Sequence, residues 1–178
     1  MCAKLNLGGE NVIMQKFTNL SQFEKEGAEK VHSLNLYPWP FPDSMFEEVR
    51  AENILEKQQD LVVTMHEIWR IAKPNAKIYI IVPWYNSSSN YSDPRNIHGF
   101  NFATFDFFLD WMKKTDKNYR IIKIKSRAYP WVRWIPNVPL SIIKKGSRLG
   151  LRDFFAYFIG EINQYLFVEL EVIKGGIK

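Results

Sequence analysis

The run Lys77-Ile78-Tyr79-Ile80-Ile81-Val82-Pro83 constrains this chain more than any other stretch. Ile78, Ile80 and Val82 point to one side of an extended segment, and Tyr79 and Ile81 to the other. A strand apolar on both faces reads as a central strand covered on both sides. Just upstream, Leu61, Met65, Ile68, Trp69 and Ala72 recur at helical spacing over about residues 59–72. Asp60 falls in or near the first turn, where negative charge suits the helix dipole. Lys73-Pro74-Asn75 is the expected stop.

Further strands are expected at 4–7, 17–20, 30–34 and 46–51. Alternating patterns at 119–125 and 165–173 add two more. An aromatic helix is expected at 102–112 and another helix at 152–160. Tyr37-Pro38-Trp39-Pro40-Phe41-Pro42-Asp43 must be a loop, because its prolines remove donors and hold their predecessors extended. This order predicts an α/β fold: a Rossmann-like open twisted sheet of about seven strands, mostly parallel with an antiparallel edge strand, helices on both faces. The last two strands are expected as an antiparallel pair at one edge.

The 178 residues suit one domain, 1–178. Cys2 is the sole cysteine, which excludes an internal disulfide and a cysteine-rich metal site. His32, His66 and His98 lack metal-ligand spacing, so no metal is expected. No apolar run reaches the roughly 18 residues of a membrane span, and no secretory signal is evident, so the reading is cytoplasmic. Charge is unevenly spread. Residues 1–112 carry 10 Lys/Arg against 14 Asp/Glu, whereas 113–152 carry 12 against Asp116 alone. A basic aromatic excursion at about 128–152 holds Arg133, Lys144, Lys145, Arg148 and Arg152 with Trp131 and Trp134. Together with Lys123, Lys125 and Arg127 it makes a basic segment, 123–152, suited to nucleic acid, an anionic membrane surface or a hydrophobic protein partner. The bland alternative, a solvated face of the last hairpin, accounts for Arg120, Lys123 and Lys125.

In open α/β sheets ligands bind beyond the carboxyl ends of the strands. That places Gly8-Gly9, Asn19 to Ser21, Ser33-Leu34, Glu52-Asn53 and Trp84-Tyr85 around one crevice. Several segments then match one family in order and spacing over roughly residues 4–110. They are Leu5-Asn6-Leu7-Gly8-Gly9-Glu10, Thr18-Asn19-Leu20-Ser21, His32-Ser33-Leu34-Asn35 and Pro40-Phe41-Pro42-Asp43 through Val49. They continue with Ile54-Leu55-Glu56-Lys57, Glu67 through Ala76, Ile80-Ile81-Val82-Pro83 and Ser92-Asp93-Pro94 through Phe105. The chain resembles the small class I S-adenosylmethionine-dependent methyltransferases.

The resemblance implies S-adenosylmethionine as cofactor, contacted by Leu7, Gly8, Gly9, Glu10, Leu20, Ser21, Ser33, Leu34, Glu52 and Asn53. Trp84 and Tyr85 would either flank an unidentified methyl acceptor or cap the core. His98 and Asp93 are the candidates for an acid–base role. Four positions depart from the family pattern. Glu10 stands in the glycine turn, Ser21 replaces the acid that accepts both ribose hydroxyls, Ser33 the aspartate on the adenine amino group, and Lys57 a histidine. Losing a charged bidentate contact costs roughly 1.5–3 kcal/mol, so the cofactor is expected to bind weakly. Methyl transfer is mostly positioning of two reactants, so the absence of a nucleophilic triad is not evidence against it. The competing reading is a non-catalytic binding module on the same fold.

Overall fold

The computed structural model describes residues 3–8, 12–129 and 162–175. The expected helix at 152–160, the glycine-turn residues Gly9 and Glu10, and the excursion residues from Trp131 to Arg152 lie outside them.

Seven strands form one sheet: β1 Lys4–Asn6, β2 Thr18–Ser21, β3 Lys30–Val31, β4 Phe46–Glu52, β5 Ala72–Pro83, β6 Asn118–Ala128 and β7 Asn163–Ile173. Their order is β3-β2-β1-β4-β5-β7-β6. The first five strands pair in parallel. β7 enters antiparallel between β5 and β6, so the antiparallel strand lies one place in from the edge.

Helix α1, Leu61–Ile71, starts at Asp60, whose side chain caps the helix by accepting from the Val63 amide at 2.9 Å. It ends at Ala72, where the chain is already extended and β5 begins. The expected stop at Lys73-Pro74-Asn75 is therefore an irregularity within the strand, with Asn75 in the left-handed region. A short helix α2, Ser88–Tyr91, follows β5. Helix α3, Phe102–Lys113, opens with a capping box between Asn101 and Thr104. β3 is shorter than its pattern suggests, because residues beyond Val31 turn away.

α1 and α3 lie side by side, with Leu61 and Met65 of one facing Thr104, Phe105 and Phe108 of the other. They cover the sheet face that buries Leu5, Val49, Ile78, Ile80, Val82, Leu166 and Leu170. Tyr119 buries its ring on this side and donates its hydroxyl to the Met65 carbonyl. The proline loop is bolted to α1. Arg70 donates to the carbonyls of Trp39 and Phe41 and to the carboxylates of Glu67 and Asp43. Glu67 also accepts from the Trp39 amide at 2.6 Å.

The opposite face repeats a charged grid, because side chains alternate along each strand. Glu48, Lys77, Glu171 and Arg120 form one row across four strands, then Arg50, Tyr79, Glu169 and Lys123, then Glu52, Ile81, Phe167 and Lys125. The described parts of the β1–β2 and β2–β3 connections contain no helix. Tyr79 and Ile81 thus remain half-buried where cover was expected.

Candidate functional site

The crevice expected beyond the carboxyl ends of β1, β2, β4 and β5 is assembled by strand pairing. The Leu7 amide donates to the Arg50 carbonyl, the His32 amide to the Ser21 carbonyl, and the Asn53 amide to the Ile81 carbonyl. Leu7, Leu20 and Leu34 are fully buried and form the floor beneath this edge.

Two asparagines that the sequence reading passed over organise its first turn. Asn6 donates to the Val12 carbonyl at 2.6 Å and to Asn19 Oδ1 at 2.8 Å, and its own Oδ1 accepts from the Gly8 amide. Asn19 in turn donates to the carbonyls of Met14 and Phe17 and accepts from the Met14 amide. Both are buried, and full pairing is what makes buried amides tolerable. Each alternates with leucine, so plain alternation reads it as solvent-facing, and the register puts both on the face of Arg50.

The two serines at the acid positions are held in local turns. Ser21 Oγ accepts from the Phe23 amide at 3.2 Å, and Ser33 Oγ from the Asn35 amide at 3.3 Å. Ser21 is buried and Ser33 half-buried. Neither supplies charge. Glu52 is half-buried at the end of β4, and Asn53 follows it in the left-handed region, with its carbonyl accepting from Lys57 Nζ at 3.0 Å.

Across the crevice, Trp84 is fully buried, packed on Tyr85 and edge-on to Phe102 at 5.5 Å. Its ring belongs to the core, and Tyr85, half-buried, is the member of the pair with accessible surface. Gly99 lies so close that a Cβ there would sit 2.9 Å from Tyr85 Cβ. Asp93 is clamped by Arg95, which donates at 2.9 and 2.7 Å, and pairs with Lys57 at 3.3 Å. The Arg95 hydrogen bonds hold its carboxyl far below the usual range. His98 donates from Nε2 to the Gln58 carbonyl at 2.8 Å, which leaves Nδ1 as its acceptor nitrogen.

The same hydrogen-bond cluster contains a carboxylate with no assigned role. Glu56 is 1% exposed, its carbonyl accepts from the amides of Ile97 and His98, and Lys57 Nζ lies 3.8 Å from its carboxylate. Burial raises its pKa to about 7.

An adenosyl cofactor therefore finds a partial fit. The strand ends and the backbone at Asn53 are in place, whereas the Glu52 side chain shares the row of Ile81 on the charged sheet face, 3.8 Å from the Arg50 guanidinium. The two positions where the resemblance implies carboxylates carry neutral hydroxyls engaged in their own turns. Among the described residues no group of three His, Cys, Asp or Glu side chains is placed to hold a metal ion. No described helix is long and apolar enough to cross a membrane.

No protein-family model and no curated protein matches the chain. Solved structures do. A methyltransferase dependent on S-adenosylmethionine from Archaeoglobus fulgidus superposes with TM-score 0.66 at 15% identity, covering 96% of this chain and 86% of that one. A methyltransferase from Haloferax volcanii, solved in complex with the methyltransferase activator Trm112, gives 0.57 at 12% identity, covering 98% and 83%. The [4+2]-cyclase SpnF gives 0.58 at 12% identity, covering 98% and 76%. At such identities the likeness is one of architecture, and it extends over nearly the whole chain. With the strand order β3-β2-β1-β4-β5-β7-β6, the chain has the fold of the class I S-adenosylmethionine-dependent methyltransferases.

Proposed function

We propose that the chain is an S-adenosylmethionine-dependent methyltransferase-like protein that takes its cofactor weakly across the ends of β1, β2 and β4. The observation that carries this reading is the crevice itself, formed by four parallel strand ends in the order of that fold. The cofactor supplies an electrophilic methyl group, and the protein's part is to position an acceptor. Tyr85 is the aromatic surface an acceptor meets, and His98 Nδ1 is the acid–base group nearest that role. The basic segment 123–152 is read as the contact for an anionic partner.

A second reading, a non-catalytic binding module, is favoured by specific observations. Trp84 serves the core, Asp93 serves an ion-pair cluster, and Ser21 and Ser33 serve their turns. SpnF carries a cyclase name on the same fold, so the architecture tolerates other functions.

Calorimetric titration with S-adenosylmethionine and S-adenosylhomocysteine separates the two. Loss of charged contacts predicts a dissociation constant of roughly tens of micromolar or weaker. Ser21→Asp with Ser33→Asp should tighten binding by about tenfold or more. Absence of heat at millimolar ligand for both proteins leaves the module reading standing.

A further inference from the structure

We propose that the open face of the sheet beside β6 binds single-stranded nucleic acid, with phosphates along Lys123, Lys125 and Arg127 and a base stacked on Phe167. The inference deepens the reading of segment 123–152 as an anionic contact. It is independent of methyl transfer.

The geometry begins with a bulge. Pairing between β6 and β7 slips at Ile122, between Ile121 opposite Leu170 and Lys123 opposite Glu169. One inserted residue moves the following side chains to the other face. Lys123, Lys125 and Arg127 thereby share the face of Arg120, instead of standing opposite it. Along an edge strand they recur every second residue, about 6.8 Å apart. All three are exposed, and none is in an ion pair with a described residue.

Charge on this face is sorted by height. Towards the start of β4 and β5 it is neutralised: Lys4 and Arg50 bind Glu48, and Lys77 and Arg120 bind Glu171. Towards their carboxyl ends Lys123, Lys125 and Arg127 of β6, in no ion pair with a described residue, stand beside Phe167 and Tyr165, the register partners of Lys125 and Arg127. Here an open cavity of about 580 Å³ is lined by Tyr79, Ile81, Phe167, Glu52, Glu169 and the β6 cations. It lies on the sheet face, not in the cofactor crevice.

A concavity of that size admits a planar base. Its aromatic floor is sequence-tolerant, because every base has a π-face, and its rim of cations tracks a phosphate backbone. Sheet faces with aromatics between charged edges read unstacked strands in this way. Glu52 and Glu169 only accept hydrogen bonds, which matches exocyclic amino groups. A membrane is disfavoured, since Phe167 is half-buried within a hollow and does not protrude to insert.

The test uses the full chain and fluorescence anisotropy with a labelled single-stranded RNA of about ten nucleotides. The same sequence in a duplex, inorganic polyphosphate and phosphatidylserine vesicles are the other probes. The expected result is single-strand binding at least about tenfold tighter than duplex binding, falling steeply with salt. Lys123→Glu with Lys125→Glu should lose binding by tenfold or more. Phe167→Leu, which keeps apolar volume and removes the ring, should weaken RNA about tenfold and leave polyphosphate unchanged. Thermal melting of each variant confirms that it is folded. Polyphosphate binding as tightly as RNA, with Phe167→Leu silent, overturns the inference and leaves the anionic contact standing. Vesicle binding without RNA binding overturns it in favour of a membrane surface. Failure of every polyanion removes the inference and the anionic contact together.

Discussion

Neighbouring residues of β5 live in different solvents. Ile80 is 1% exposed, packed beneath α1 and α3, while Tyr79 lies half-buried on the other face with the Arg50 guanidinium 5.2 Å from its ring centre. One face is sealed by aliphatic contact, the other carries a lattice of opposite charges over part of its height. The difference teaches that a central strand of this topology needs cover only where its side chains demand it. Ion pairs and cation–π contacts can finish a face that no described helix covers.

Truncation tests that contrast most strongly. Ile80→Ala should cost about 2–5 kcal/mol in urea unfolding, because the cavity left beneath the helices cannot collapse fully. Tyr79→Ala should cost about 1 kcal/mol or less. Equal losses would show that the charged face is covered after all, and the comparison would break.

Acid adds a second contrast, between the Glu56 carboxylate buried in the turn after β4 and the Glu48 carboxylate within the charged lattice, which shift in opposite senses. Glu56 has a folded pKa of about 7 against an unfolded value of 4.5. The folded state then holds more protons than the unfolded state, so stability falls as pH rises from about 4.5 to 7. A gap of that size corresponds to about 3 kcal/mol as an upper bound. Glu56→Gln should therefore be more stable than wild type at pH 8 and level with it near pH 4. For Glu48 burial pushes upward, but Lys4 and Arg50 outweigh it and lower the pKa. Its contribution is present above the unfolded value and is lost on acidification. Stability measured from about pH 2 to 8 in wild type, Glu56→Gln and Glu48→Gln should show opposite slopes in separate windows, between about pH 4.5 and 7 for Glu56 and below about pH 4.5 for Glu48.

The smallest effect belongs to the lattice itself. A double-mutant cycle between Lys4 and Glu48, paired at 2.7 Å, should give a coupling of about 0.2–1 kcal/mol that shrinks with added salt. Coupling well above that range would mean the pair is shielded from water.

Much of this was legible beforehand. Alternation at 119–125 and 165–173 located the last two strands, and the Asp60 start and Leu61–Ile71 stripe located α1, because both depend on local period. The proline stretch was legible as a loop, though its anchor, the Glu67–Arg70 pair, was not. A carboxylate and a guanidinium three residues apart read as an ordinary helix surface. The bulge at Ile122 was equally invisible, since Tyr119 to Lys125 fits plain alternation and only the partner strand reveals the slip. Asn6, Asn19 and Glu56 were missed for one common reason. Each is a polar group whose burial is decided by segments distant in sequence. Trp84 was left open between acceptor and core, and its burial against Phe102 settles its packing.

The placing of β7 also bears on how the chain reaches this state. Lys77 and Glu171, joined across the seam of β5 and β7, are 94 residues apart. During synthesis β5 emerges long before its partner, and β6 emerges with nothing beside it. Two strand edges, one of them the apolar Ile78–Val82 run, therefore stand unpaired until residues 163–173 arrive. Contacts of such long range close slowly, and open strand edges are templates for pairing with other chains. The vulnerable moment for this protein is thus its birth, and yield on expression should depend on chaperone supply more than on the stability of the finished sheet.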